Sequence, residues 1–316
     1  MASYWEGKRV LVTGGAGFIG GLVVENLINK RGVDDTDIVV PRSADCDLRV
    51  YENCLRAVEG CDIVIHLAAT TGGIAFSRAH PGSQYRDCML MNLHLFEASR
   101  LANVEKLVGV GNILVYPANA PSPLDERQLY QGEVARTHLG VGMAKRDMIA
   151  LSQMYHMEYG LRAVNVLSAN AYGPRDRFEP GISHVIPATI AKCHSESRLV
   201  VWGDGKPTRD FLYVEDVAEG ILLAAERLEP PNYHVNIASG EEISIGDLAH
   251  LIARLCDFKG EIVFDTDKGG GDPRRCASGE MAKAQLGFFP RISLERGLTE
   301  TIKWYRQTHL VQSSAV

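Results

Sequence analysis

One stretch, TGGAGFIG (Thr13–Gly20), constrains this chain more than any other. It directly follows the apolar run RVLV and opens FIGGLVVENLINK, whose apolar residues recur at helical spacing. A tight passage from strand to helix needs positive φ, and a pyrophosphate lying on the backbone leaves no room for a Cβ. Glycines at 14, 17 and 20 meet both needs. The helix start that follows offers unpaired N–H groups and a partial positive charge. Strand before and amphipathic helix after is the context such a loop requires. Gly14, Gly17, Phe18, Ile19 and Gly20 are therefore expected to hold a dinucleotide, with Ala68 beside it.

The first 115 residues alternate β-branched runs with helical patterns. RVLVTG, DIVVP, CDIVIHLAA and VEKLVGVG predict four strands, and a helix is expected over about 84–103. Val/Ile-rich strands separated by helices specify a parallel sheet covered on both faces. The predicted fold is α/β, a doubly wound parallel Rossmann sheet with a smaller α+β substrate-binding domain. From about residue 171 Pro, Gly and charge dominate, in YGPRDRFEPG, WGDGKPTRDF and DKGGGDPRR. AVNVLSA, VEDVAEGILLAAERL and YHVNIAS still read as sheet-domain material, with Asp216 expected to cap or start its helix. The dinucleotide domain is thus expected at 1–170 plus 216–240, and the substrate domain at 171–215 plus 241–316.

A dinucleotide site selective for NAD ends its second strand with an acidic residue for the ribose hydroxyls. Here VVPRSADCDL places Arg42 and Ser43 there, which suits a 2′-phosphate. The expected cofactor is NADP, with NAD the alternative, and Asp47 and Leu48 are expected to flank the adenine. Net charge is −6 with acids and bases interspersed, so no nucleic acid partner is expected and phosphate attraction must be local. Seven scattered cysteines without a CxxC pair point to reduced thiols in a cytoplasmic protein, with no metal site. No apolar run reaches the roughly 18 to 20 residues of a membrane helix, so no membrane partner is expected.

TGGAGFIG, HLAATTGGIAFSRAHPG, NAYGPRDRF, ISHVIPA, VVWGDGKPTRDFLYVEDVA and DPRR, spread over nearly the whole chain, carry a family resemblance. The sequence resembles the extended short-chain dehydrogenases acting on nucleotide sugars, closest to the GDP-fucose synthase branch of 3,5-epimerase/4-reductases. That resemblance implies a hydride step served by a Ser/Thr and a Tyr-x-x-x-Lys, the lysine holding the nicotinamide ribose and the tyrosine exchanging a proton with the sugar oxygen. Lys145 matches the lysine, but Val141 stands at the tyrosine position and cannot move a proton. Asn112 replaces the Ser/Thr and Leu114 the epimerising cysteine, while the partner histidine remains as His184. Asn170, Lys192, Trp202, Arg209 and Arg274 match substrate-facing positions, and Arg274 with Arg275 is expected at the diphosphate. His138, three residues before Val141, is a further candidate proton carrier.

Three activities fit these residues. An epimerase could exchange protons of a 4-ketosugar through His184, with Asn112 or Lys145 stabilising the oxyanion. An epimerase/reductase could take its proton from His138 or water. A catalytically silent subunit could bind NADP and a nucleotide sugar without turnover. The resemblance also implies a homodimer packed through helices at about 84–103 and 143–160, and Gly140 and Gly142 are expected to loosen the start of the second.

Overall fold

The computed structural model describes residues 3–179, 181–268 and 272–310, so Gly269–Gly271 of DKGGGDPRR lie outside the described residues. Its centre is a six-stranded sheet. Strands β1 (Val10–Thr13), β2 (Ile38–Val39), β3 (Ile63–His66), β4 (Lys106–Asn112) and β5 (Ala163–Ser168) are joined by an edge strand, His234–Ile237. The order is edge strand, β5, β4, β3, β1, β2, every pair parallel.

Side-chain alternation explains why the middles of these runs are apolar at successive positions. Val10 and Val12, Ile63 and Ile65, and Val108 and Val110 enter one core; Leu11, Val64 and Leu107 enter the other. A strand covered on both faces needs apolar residues at odd and even positions alike. Helices α1 (Phe18–Arg31), α2 (Tyr51–Val58), α3 (Ile74–Ala79), α4 (Pro81–Leu101) and α5 (Leu139–Tyr159) precede α6 (Val185–Ser195) and α7 (Val214–Arg227). Residues of α1 and α7 fill the first core, and those of α2, α4 and α5 the second. Because β2 and β3 lie on opposite sides of β1, the crevice past the C-terminal ends of β1 and β3 is the topological switch point where such sheets bind ligands.

Several local expectations change. Pro41 has no N–H for a ladder, and β2 ends at Val39 on the sheet edge. The expected helix over 84–103 begins at Pro81, whose fixed φ suits the first helical position. Gly140 and Gly142 do not loosen α5, which is regular from Leu139. They let it approach its neighbours: a Cβ on Gly140 would lie 2.4 Å from the Pro81 carbonyl oxygen, and one on Gly142 2.9 Å from that of Leu114. Asp216 is in the first turn of α7, at the start of the helix and not at its cap, and its carboxylate accepts the backbone N–H groups of Arg291 and Ile292, both at 3.0 Å.

The remaining chain forms smaller sheets. Asn170–Tyr172 pairs with Phe211–Tyr213, Arg198–Trp202 with Glu261–Asp265, and Thr208–Arg209 with both Ile243–Ser244 and Arg274–Arg275. Helices α6, α8 (Ile245–Leu255) and α10 (Leu294–Tyr305) enclose a separate core of Ile186, Ile190, Ile252 and Leu298. Helix α9 (Glu280–Leu286) departs from the expected division, because Ala277, Ala282, Leu286 and Phe288 belong to the core of the large sheet. Among the described residues no helix is long and apolar enough to cross a membrane, and no cluster of three or more metal-ligating side chains occurs.

Candidate active site

The glycine loop has the geometry its sequence demands. Gly14 sits at φ +70°, and a Cβ there would press to 3.0 Å from the Ala68 nitrogen. A Cβ on Gly20 would stand 2.2 Å from the Gly14 carbonyl oxygen, so only glycine lets α1 start this close to β1. Gly17 is the N-cap of α1, extended, and no side chain caps the helix. The N–H groups of the first turn, at Phe18 and Ile19, therefore keep the donors that a phosphate takes.

Behind the loop runs a directional hydrogen-bond chain that the sequence did not announce. Asn92 donates its amide to the Ala144 carbonyl (3.1 Å), so its Oδ1 must accept from His66 Nε2 (3.1 Å). The proton of a neutral His66 therefore sits on Nε2, and Nδ1 accepts from the Thr13 hydroxyl (2.8 Å). Thr13 Oγ1 in turn accepts from the Ala68 N–H (3.3 Å). Complete burial, with the Lys145 charge nearby, pushes the His66 imidazole down to about 3, which keeps it neutral. The chain ties the ends of β1 and β3 to α4 and to the residue before Lys145. A histidine and an asparagine within the apolar runs IVIH and MNLHLF are the sequence signal for it.

Lys145 is 4% exposed, and among the described residues no carboxylate pairs with it. Burial lowers its pKa to about 8, with only the Cys88 thiol opposing. Val141 on the same helical face is 5% exposed. Asn112 caps the turn Ile113–Val115, its Oδ1 accepting the Leu114 N–H at 3.1 Å. The first turn of α5 rests against this loop through Gly142, so the structure brings Lys145, Val141, Asn112 and Leu114 together.

The arginines divide. Arg275 is buried and does not face a diphosphate as expected. It donates to Asp272 Oδ2 (2.5 Å) and to the carbonyls of Ile113 (2.8 Å) and Tyr116 (3.4 Å), so it is a strut under the 112–117 loop. Arg209 is half-buried and donates Nη1 to the carbonyls of Thr208 (2.7 Å) and Asp272 (2.8 Å). Arg274 is exposed and paired with Glu242 (2.7 and 2.9 Å). His138 Nε2 stands 3.9 Å from Asp272 Oδ2, and both side chains are largely buried. His138 and Arg275, placed chiefly in that order around it, hold the Asp272 carboxyl down to about 2.

Other expected residues lie farther out. His184 is exposed at the N-cap of α6, its Nδ1 3.9 Å from Oδ1 of the buried Asp176. Lys192 donates to the Val200 carbonyl (2.9 Å), Asn170 to that of Asp210 (2.8 Å), and Lys268 lies over the exposed Trp202 ring at 5.8 Å. Arg42 is exposed in the loop after β2. The two residues expected at the adenine lie in the loop after β2 and have protein contacts of their own. The Asp47 carboxylate is already taken by the backbone N–H (2.9 Å) and guanidinium (2.8 Å) of Arg49, and the Leu48 side chain packs in the core.

Known proteins agree with this architecture. Residues 10–238 match the NAD dependent epimerase/dehydratase family. A GDP-L-fucose synthase of Sinorhizobium fredii is 36% identical over 303 residues, covering 94% of this chain and 95% of that one. The Escherichia coli GDP-L-fucose synthase is 33% identical over 315 residues, covering 94% and 96% respectively. The solved GDP-L-fucose synthetase of Naegleria fowleri bound to NADP superposes with TM-score 0.86 at 27% identity, covering 98% of this chain and 96% of its own. The uncapped start of α1, the close-packed glycines and the buried lysine fit a nicotinamide dinucleotide. With those features and this identity along nearly the full length, the chain belongs to the NAD dependent epimerase/dehydratase family.

Proposed function

We propose that the chain is an NADP-dependent epimerase/reductase acting on a GDP-linked 4-ketosugar. The observation that carries this reading is Lys145, buried with no carboxylate partner among the described residues and braced through Ala144, Asn92, His66 and Thr13 to the phosphate loop. Burying an ammonium group costs free energy, and a protein keeps one where a ligand's hydroxyls or charge will meet it. When bound, the dinucleotide would supply or accept hydride. Gly14, Gly17, Phe18, Ile19 and Gly20 would hold its pyrophosphate, Ala68 its backbone edge and Lys145 its ribose. Arg42 beside β2 favours the 2′-phosphate, as does the NADP in the Naegleria relative.

Arg209, Asn170, Lys192, Trp202 and Arg274 would grip the sugar nucleotide; Arg274 would exchange Glu242 for phosphate, since a guanidinium fork fits either. The carbonyl makes protons at the adjacent carbons acidic. His184, oriented by Asp176, would remove one of them, while Asn112 and Lys145 stabilise charge developing on the carbonyl oxygen. We assign the dinucleotide unit to 1–170 with 216–240, joined by 277–288, and the sugar unit to 171–215 with the rest of 241–310. Exposed Leu93 and Leu101 on α4, and Met154, Met157 and Tyr159 on α5, support a homodimer through these helices. Seven free cysteines support a cytoplasmic setting.

The test is NADPH oxidation on adding GDP-4-keto-6-deoxymannose, followed at 340 nm as an ordinary reduced-nicotinamide signal. Consumption of NADPH with a reduced sugar product is expected. Binding of both ligands, seen by thermal shift, with no product under any condition would instead favour a silent binding subunit.

A further inference from the structure

The family resemblance puts a tyrosine where this chain has Val141, which leaves the sugar carbonyl without its ordinary proton partner. The structure offers a group one turn away. His138, Val141 and Lys145 follow at spacings of three and four, so they lie on one side of the start of α5. All three are turned inward: the His138 side chain is 12% exposed, whereas the Leu139 beside it is 42% exposed.

Asp272 connects His138 to the loop that bears Asn112. Its Oδ2 lies 3.9 Å from His138 Nε2, the outer range of an ion pair, and accepts from Arg275 Nε at 2.5 Å. Arg275 also donates to the Ile113 carbonyl, next to Asn112, and the backbone carbonyl of Asp272 accepts from Arg209. The Asp272 carboxylate thus links the imidazole, through Arg275, to the loop bearing Asn112 and Leu114, while its backbone carbonyl holds Arg209. Among the described residues the polar neighbours of Nε2 are the Thr137 hydroxyl (3.3 Å) and the Asp272 carboxylate, which leaves Nδ1 as the nitrogen to serve a ligand.

We propose that His138, held by Asp272, is the acid that protonates the sugar carbonyl oxygen in place of the missing tyrosine. The proposal rests on the reading of the chain as an enzyme of 4-ketosugars. In proton exchange, a C–H bond next to the carbonyl breaks and its proton passes to His184. The C–H electrons form a C=C bond, the carbonyl π electrons move to oxygen, and that oxygen takes the Nδ1 proton of imidazolium His138. The reverse sequence returns a proton to carbon and restores both histidines. His138 is the catalytic group and Asp272 a positioning residue that stabilises the imidazolium. Titratable or charged groups around His138 are Asp272 and Arg275 on the 272–275 segment, Arg136 on its own turn, Arg78 and His80 at α3 and its end, and Lys145, Arg146 and Asp147 on α5.

The experiment compares deuterium uptake from D2O into GDP-4-keto-6-deoxymannose by the wild type, His138→Gln and Asp272→Asn, across pH. His138→Gln should lose about 10²- to 10⁴-fold in exchange rate, the span general acid catalysis supplies. Added imidazole should restore part of the rate. Asp272→Asn keeps the imidazole but loses its carboxylate, so the alkaline fall in rate should move to lower pH, which a merely structural role would not do. His138→Gln within threefold of the wild type, or an Asp272→Asn profile unmoved along the pH axis, overturns the proposal while leaving the enzyme reading intact. A wild type that exchanges nothing overturns both.

Discussion

Replacing Lys145 with methionine separates binding from stability. The ammonium is 4% exposed, lacks a carboxylate partner among the described residues, and burial lowers it from 10.5 to about 8. At about 1.4 kcal/mol per pH unit, that fall corresponds to about 3 kcal/mol against the folded state. Below pH 8 folded and unfolded chains both carry the proton, and the full cost is present. Between 8 and 10.5 the folded lysine releases its proton while the unfolded one retains it, so wild-type stability rises with pH. Above 10.5 both are neutral and the penalty is gone. Lys145→Met, similar in shape and uncharged, should therefore unfold in urea with about 3 kcal/mol more stability than wild type at pH 7. The gap should fall below about 1 kcal/mol by pH 10. NADPH affinity should drop roughly tenfold or more, the loss expected for a charged hydrogen bond of about 1.5–3 kcal/mol. A methionine variant no more stable at pH 7, or a gap indifferent to pH, would refute the reasoning.

Three further perturbations address the surrounding parts. Gly20→Ala places a Cβ 2.2 Å from the Gly14 carbonyl oxygen, a backbone atom that cannot swing aside, so NADPH titration should show at least tenfold weaker binding, with stability lower by about 1–3 kcal/mol. Asn92→Leu strands the His66 Nε2–H and removes the second hydrogen bond of the Ala144 carbonyl; thermal or urea unfolding should register a loss of roughly 1–3 kcal/mol. Arg275→Met removes the partner of Asp272 and should cost about 3–5 kcal/mol at pH 7. Because Asp272 is held down to about 2, its contribution is present above the ordinary carboxylate pKa of 3.8 and disappears as pH falls toward 2. The difference between wild type and Arg275→Met should accordingly narrow between pH 4 and 2 in acid-unfolding curves.

The parts of this protein legible in the sequence are those written in short-range patterns. TGGAGFIG specifies its own turn, and runs such as VLV and IVI are apolar at successive positions because both sheet faces are covered. The site's polar wiring is built from distant segments. Arg275 reaches Ile113 across 162 residues and Asn92 reaches Ala144 across 52, contacts that no local spacing encodes. For the same reason DPRR read as a pair of phosphate-binding arginines although one is buried under a loop. The pairing of Asp47 with Arg49 is likewise unmarked in the sequence, where Arg49 reads as another exposed basic residue. Gly140 and Gly142 looked like helix weakeners because the carbonyls they make room for, at Pro81 and Leu114, belong to other elements.

The most direct measurement of the central claim is the mass of GDP-4-keto-6-deoxymannose recovered after incubation with the protein in D2O. An enzyme that draws protons from beside the carbonyl will return sugar heavier by one or two mass units, at a rate proportional to protein. Sugar of unchanged mass, recovered from protein shown by thermal shift to bind both the nucleotide sugar and NADPH, would contradict the account.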